Sequence, residues 1–250
     1  MPVMFAPCAS QLLDLAGVEP GERVLDVACG TGIVARRAAA RVGAGGVVAG
    51  SDVNEGMLEV AAATAIDLPV RIEWHRADAT ALPLPDGAFD VVCCQQGLQF
   101  VPDPPLALRE ARRVLTPGGR LALAVWRGID HHPVFAAFVR ALERHAGPGT
   151  AAPLRAPFGG PGREELRRRL TETGFDEVQV RIATFGARFP SPGEFLWRQA
   201  ASSPLGVPLA ALDEEPRRAL ARELDQTLGE WVDDDGLVVP MQTWLATARR

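Results

Sequence analysis

The feature that most restricts what this chain can become is a nine-residue stretch near its start, residues 24–32 (VLDVACGTG), followed at once by residues 33–42 (IVARRAAARV). Residues 24–28 form a short apolar run that reads as a buried strand, and 33–42 carries good helix formers at helical spacing. Between them Gly30-Thr31-Gly32 lets the backbone turn sharply and pass close to a ligand. Strand, glycine turn and helix in that order begin an open α/β sheet, whose ligands bind beyond the carboxyl ends of the strands. Gly30, Gly32 and Ala35 also satisfy the G-x-G-x-x-A spacing of dinucleotide sites. Asp26 argues for a different ligand. An acid near the end of this strand opposes a pyrophosphate and suits the ammonium of an amino-acid moiety.

The alternation continues. Residues 46–50 lead as a second strand to Asp52, and Asn54 is placed to cap a helix over 55–66. A third strand spans 70–76, and a loop over 78–87 carries Pro83 and Pro85. The strongly apolar 89–94 follows as a central strand, then a helix over 105–115 that stops at Thr116-Pro117-Gly118-Gly119, and a fifth strand over 120–126. Strands alternating with helices imply a parallel sheet wound with right-handed crossovers. Beyond 127 the pattern predicts helices over 134–144, 164–172, 192–201 and 213–231, a Pro/Gly-rich loop over 147–162, a half-exposed strand through Val178, Val180 and Ile182, and a last strand near 237–246. A further helix is expected near 11–17, after a short N-terminal segment containing Phe5. The resulting expectation is an α/β, Rossmann-like fold. It has a seven-stranded, mostly parallel sheet, helices on both faces, and a helical insertion that covers a pocket. Residues 1–250 form one domain, with a ligand-binding core over 22–127 and cap elements over 128–162 and 190–236.

Composition narrows the functional classes. With 47% hydrophobic and 23% charged residues, 250 residues suffice for one sizeable core. No apolar run approaches the roughly 20 residues of a membrane span, and the first ten residues lack the pattern of a signal peptide, so a cytoplasmic protein is expected. Cys8, Cys29, Cys93 and Cys94 show neither a disulfide framework nor metal spacing, and Cys93 and Cys94 read as small core residues. No cluster of Asp, Glu and His has ligand spacing, so no metal is expected, and Asp233-Asp234-Asp235 reads as a solvated loop. The net charge is −5 and every basic residue is Arg, in short clusters at helical positions, so nucleic acid is not the expected partner.

Two more acids complete the ligand pattern. Asp52 ends the second strand twenty residues after Gly32, where a carboxylate can accept both hydroxyls of a ribose. Asp78-Ala79, after the third strand, is placed to meet an adenine through its side chain and backbone. Together with residues 89–100 (FDVVCCQQGLQF) and 113–121 (RVLTPGGRL), these motifs resemble the class I S-adenosylmethionine-dependent methyltransferases of the methyltransferase-11 type, which include quinone-biosynthesis and other small-molecule enzymes. The resemblance spans about 22–127. It implies S-adenosyl-L-methionine as cofactor and S-adenosyl-L-homocysteine as product. Ala28, Gly30, Thr31 and Gly32 would lie against the methionine moiety, Asp26 near its amino group, and Asp52 on the ribose. Val53 and Met57 would face adenine, Asp78 and Ala79 its polar edge, and Gln95 the methionine end. Gln99 and Phe100 stand where many relatives end this motif in Leu-His-His.

The implied reaction is methyl transfer to an oxygen, carbon or nitrogen of a small apolar metabolite, a quinone precursor or a secondary metabolite. His131, His132 and Gln99 are the catalytic candidates, the histidines as bases just after the fifth strand. Phe195, Trp197 and Trp231 are candidates for an apolar acceptor pocket or for helix packing, while His75 and His145 read as structural. Three other classes compete, the last two against the weight of the motifs. A protein that binds this cofactor without methyl transfer, as a cyclase or regulatory partner, would carry the same motifs. An NAD-dependent dehydrogenase shares Asp52 and the glycines. A nucleic-acid amino-methyltransferase would need an (Asp/Asn)-Pro-Pro-aromatic signature where Gln95-Gln96-Gly97-Leu98 stand. A homodimer is an open assembly.

Overall fold

Residues 23–126 alternate strand and helix because their apolar periodicity alternates, and the sheet that results orders everything else. The structure is a computed structural model that describes residues 2–202, 209–210 and 212–250. Its first half comprises α1 (Pro2–Ala16), β1 (Arg23–Val27), α2 (Ile33–Val42), β2 (Val47–Asp52), α3 (Glu55–Thr64), β3 (Ile72–Arg76), β4 (Phe89–Gln95), α4 (Pro104–Val114) and β5 (Leu115–Trp126). The second half comprises α5 (Pro133–Ala146), α6 (Ala152–Arg155), α7 (Arg163–Glu172), β6 (Asp176–Phe189), α8 (Pro192–Ser202), α9 (Glu214–Thr227), β7 (Val232–Asp233) and β8 (Gly236–Arg249).

The strands lie in the order β3-β2-β1-β4-β5-β8-β6, with the two-residue β7 paired to β8. β3 through β5 are parallel; β8 runs antiparallel to both β5 and β6. The chain builds outward from β1 to β3, then returns to lay β4 on the other side of β1. That reversal opens a crevice between the carboxyl ends of β1 and β4. β4 is central and almost wholly buried, as its apolar run predicts. Its alternation sends Val91 and Cys93 toward the core under α1 and α2, and Val92 and Cys94 toward the core under α4 and α7. All four cysteines are free and buried.

β8 is longer than its neighbour. β5 pairs with β8 only as far as Thr243, whereas residues 237–242 continue along β6, with Leu237 also paired to β7, so a β6–β8 ribbon projects past Trp126 at the carboxyl edge of the sheet. α5, α8 and α9 bury Phe135, Phe138, Phe195, Leu220 and Leu224 against Phe189, Val239 and Met241 of this ribbon. The helical layer therefore stands beside the crevice.

Four expectations change. α1 starts at Pro2, not near residue 11, although Pro7 lies inside it. Pro7 loses one backbone bond, but Met4, Cys8 and Leu12, with Ala9, Leu13 and Ala16, bury a continuous face that outweighs the loss. Residues 147–162 are not all loop: one turn of helix at α6 and a 3-10 turn at Ala156–Phe158 form because Leu154 and Phe158 find buried sites. The helix expected over 213–231 ends at Thr227, with a 3-10 turn at Gly229–Trp231. Asp233 ends the short β7, paired through both oxygens with Arg188, while Asp234 and Asp235 form the exposed turn that was expected.

Trp74 on β3 lies flat across β2. A Cβ on Gly50 would sit 2.5 Å from Trp74 Cζ3 and 3.2 Å from Cys29 Sγ. A rigid ring cannot yield locally, so Gly50→Ala is expected to cost about 1–3 kcal/mol, read as a lowered urea midpoint at unchanged slope.

Candidate functional site

The end of β1 turns through an unusual run of left-handed backbone. Ala28, Gly30 and Gly32 have φ of 53°, 53° and 77°. For glycine this conformation is free of strain; for Ala28 it costs roughly 1–2 kcal/mol. Gln96, just past the end of β4, is the matching exception with φ of 56°. The two strained residues are neighbours, because a Cβ on Gly97 would lie 2.5 Å from Ala28 Cβ. Backbone strain of this kind persists where the surroundings over-determine it, and here it lies at the crevice.

Asp52 holds the turn in place. Its Oδ2 accepts from Gly30 N–H at 2.8 Å and its Oδ1 from Asn54 N–H at 2.9 Å. Asn54 in turn caps α3 by accepting from Met57 N–H at 3.1 Å. Opposite, Asp78 Oδ1 accepts from both the backbone and the hydroxyl of Thr80, which pulls its carboxyl below the usual range. Between these groups lies a cleft of about 480 Å³. Of the sequence-predicted residues, Ala28, Gly30, Asp52, Val53, Met57, Asp78 and Ala79 line it together. Gln96, Gly97 and Phe100 complete its far wall, and Val53, Met57 and Phe100 form an exposed apolar rim.

Other predicted residues stand apart from that lining. Thr31 is exposed, and its carbonyl accepts from the Arg36 guanidinium. Gly32 packs under Trp74, whose Cη2 would lie 2.6 Å from an added Cβ. Gln95 is buried and donates its amide to Phe5 O at 3.2 Å, which ties the first turns of α1 to β4. Asp26 lies beneath the turn. Its Oδ2 accepts from Ala35 N–H at 3.0 Å, clamping the start of α2 to β1, and its Oδ1 has no partner in the protein. Burial raises its pKa to about 8, against the Ala35 bond, with the nearby Asp52 charge adding to the rise.

The histidine candidates are committed elsewhere. His131 is exposed, and its Nε2 lies 2.8 Å from an Arg127 guanidinium nitrogen, which leaves that ring nitrogen as acceptor. His132 is fully buried: Nδ1 lies 3.2 Å from Gly128 O, and Nε2 meets the backbone O and N–H of Gln242 at 2.9 and 3.2 Å. Its ring is wedged 4.5 Å from Phe158, and burial lowers its pKa to about 4. Gln99 donates to Pro157 O at 3.2 Å and Gln96 Oε1 at 3.4 Å. Phe195 is core, Trp231 packs against the same core, and Trp197 is 71% exposed. His145 bonds Glu223 and joins α5 to α9. Among the described residues no group of three or more metal-binding side chains converges, and no helix is long and apolar enough to cross a membrane.

The wall at Gln96, Gly97 and Phe100 is the part that motif reading missed. Phe100 showed only as a departure from a family pattern, and the left-handed turn at Gln96 has no local signature.

Residues 25–123 match the family model described as Methyltransferase domain. The chain is 35% identical over 237 residues to the nocamycin O-methyltransferase of Saccharothrix syringae, a match that covers 90% of this chain and 84% of that one. It is 39% identical over 131 residues to the 2-phytyl-1,4-naphtoquinone methyltransferase of Synechococcus elongatus, covering 52% of this chain and 54% of that enzyme. The chain spans about half the length of this and several other curated relatives that it matches. Among solved structures, the [4+2]-cyclase SpnF superposes with a TM-score of 0.59 at 25% identity, over 98% of this chain and 81% of that one.

The buried acid makes a pH prediction. An unfolded Asp titrates near 3.8 and Asp26 near 8, so between these values the folded state keeps a proton that the unfolded state has lost. Its contribution to stability is complete below about 4 and is lost as pH rises through 8. His132 works in the opposite sense below 6.5, where unfolded histidine charges first. Asp26→Asn removes only the first effect. The melting temperature of the variant minus that of the parent should therefore increase steadily from pH 5 to pH 8.

Proposed function

The chain belongs to the class I S-adenosylmethionine-dependent methyltransferases of the methyltransferase-11 type, and we propose that it methylates an oxygen, carbon or nitrogen of a small apolar metabolite, a quinone precursor or secondary metabolite. The observation that carries this reading is the cleft, in which Asp52, the glycine turn and the Asp78-Ala79 loop converge around an apolar rim. Its size falls within the usual range for small-ligand sites of about 300–1,000 Å³.

The residues present suit S-adenosyl-L-methionine. Asp52 would take the ribose hydroxyls on lone pairs beyond those already used by Gly30 and Asn54. Val53, Met57 and Phe100 would enclose the adenine, and Asp78 and Ala79 would meet its polar edge. Ala28 and Gly30 leave space for the methionine backbone, whereas Thr31 and Gly32 face away from the cleft and shape the turn. The unpartnered Oδ1 of Asp26 and Oε1 of Gln95 are the acceptors nearest in character to an ammonium donor. Bound S-adenosyl-L-methionine supplies a methyl group already activated on a sulfonium, and S-adenosyl-L-homocysteine is what remains. The protein's task is then to align an acceptor in line with that methyl group and to exclude water. Of the catalytic candidates His131, His132 and Gln99, we favour Gln99. His132 is locked between backbone groups with its pKa at about 4, and His131 already receives Arg127.

The names of the nocamycin and phytylnaphthoquinone relatives support a small-molecule acceptor, and α5, α6, α8 and α9 would serve as its cap. The likeness to SpnF favours one second reading, a protein that binds the same cofactor without methyl transfer. A cytoplasmic enzyme, with no nucleic-acid partner and a homodimer as its assembly, completes the proposal.

Calorimetric titration with S-adenosyl-L-methionine, S-adenosyl-L-homocysteine and NADH tests it. The first two are expected to bind and NADH is not. Asp52→Ala should weaken both by about 10- to 100-fold, the equivalent of losing charge-assisted hydrogen bonds of roughly 1.5–3 kcal/mol. Binding without turnover of any phenol or quinone would favour the SpnF-like reading, and NADH binding alone would favour a dehydrogenase. Where turnover is found, its rate in a chelator should equal that without one.

A further inference from the structure

β6 closes one side of the sheet, and at 14 residues it is long for a strand with a neighbour on one side only. The hydrogen-bond alternation shows which of its backbone groups are spare. Gln242 O accepts from Arg127 N–H, and Arg250 N–H donates to Gly119 O, so the even-numbered residues of β8 turn their backbone groups to β5. The odd-numbered ones turn to β6, where they meet Arg181, Ala183, Phe185, Ala187 and Phe189. Val180, Ile182, Thr184, Gly186 and Arg188 therefore direct their N–H and C=O groups away from the sheet, where no backbone group among the described residues meets them. Such an edge is a template for another strand, and proteins blunt it with proline, a bulge or charge. β6 has no proline, and its bulge lies between Asp176 and Gln179, before the spare stretch begins.

The side chains along that stretch identify the strand that fits. Counted outward from Thr184, each large side chain is matched by a small one at the same distance on the other side: Phe185 by Ala183, Ile182 by Gly186, and Arg181 by Ala187. A second copy of β6, laid antiparallel with Thr184 opposite Thr184, sets every large residue beside a small one. Ile182, 48% exposed, would cover the bare Gly186 of the partner, and the two threonines would form a cross-strand pair. The charges agree with this direction. Asp176 and Glu177 stand at the start of the strand and Arg188 at its end, all exposed, so antiparallel pairing brings acid toward base at both ends. Beyond the ladder the partner's Pro190, itself exposed, would reach a groove of about 470 Å³ between α7 and β6, whose lining includes Arg167, Thr171, Phe175 and Val178.

We propose that the chain forms a two-fold homodimer by pairing β6 with β6 of a second copy about Thr184, which joins the two sheets into one. This rests on the homodimer reading above, to which it gives a surface, and is independent of the methyl-transfer reading. A contact of this kind uses the same patch on both copies and closes at two. The paired stretch belongs to the ribbon against which α5, α8 and α9 pack, so each protomer braces the helical layer of its partner.

Light scattering on the full chain tests it. The parent is expected at twice the monomer mass, falling toward the monomer on dilution. Thr184→Pro removes an N–H that only the partner would use and keeps the ladder to β8. It should weaken self-association by about a hundredfold, since the axis doubles each lost bond, while S-adenosyl-L-homocysteine affinity is unchanged. In Thr184→Cys the new thiols lie beside the axis, and a short bis-maleimide should join two chains. Gln179→Cys, with thiols roughly 33 Å apart across the axis, should stay single. The four native cysteines are buried and do not compete. The cross-link at 184 decides the matter should the proline variant fail to fold. A parent that is monomeric at every concentration would overturn the surface and the homodimer reading together. A dimer that survives Thr184→Pro, fails to link at 184, or links equally at 179 would overturn the surface alone.

Discussion

Asp52 accepting from the Gly30 and Asn54 amides joins the first two βα units at the point where the chain leaves both strands. Without a fixed acceptor there, the N–H groups of a glycine-rich turn would have many conformations of similar energy, and glycine loses the most entropy on being ordered. With it, the turn after β1 and the start of α3 are positioned by one carboxylate. The parallel register of β1 and β2 brings Val27 opposite Ser51, which delivers Asp52 to the right height. Sheet geometry thus places the acid, the acid places the turn, and the turn leaves the crevice open.

The second constraint is the return of the chain to β4 beside β1. It presses Gly97 against Ala28, and both strand ends leave through left-handed residues that are not glycine. The strain is maintained by packing on both faces of β4, where the described residues are almost entirely apolar. Around this rigid floor the buried polar groups take different roles. Asp26 and His132 are both buried titratable groups, and burial drives each toward its neutral form, up for the acid and down for the base. His132 is satisfied by backbone on both ring nitrogens and so braces the segment after β5 against β8. Asp26, Gln95 and Gln99 each keep an unpaired oxygen. Satisfied groups hold the frame.

Much of this was legible in one dimension. The glycine turn, the Asn54 cap, the acids closing β2 and following β3, and the central apolar strand all follow from local spacing. The extent of α1 was not legible, because Pro7 is a stop signal that only the burial of Met4, Cys8 and Leu12 overrules. Nor was the one-turn helix at α6, whose Pro and Gly content reads as loop until Leu154 and Phe158 are seen to be buried. His131 and His132 look equivalent in sequence. One is exposed beside Arg127 and the other is sealed in an aromatic cluster, a difference made by Gln242, which is 110 residues further along the chain from His132.

The sequence by itself determined the order of strands and helices, the glycine turn and the acids around it, because each depends on residues within a turn or two of itself. Only the tertiary structure decided which polar groups those elements would leave unpaired. Gln96 meets Thr243 across 147 residues, Gln99 meets Pro157 across 58, and Gln95 meets the backbone of Phe5 across 90. A side-chain amide has two ends, and which end remains for a ligand depends on partners that only folding brings within reach.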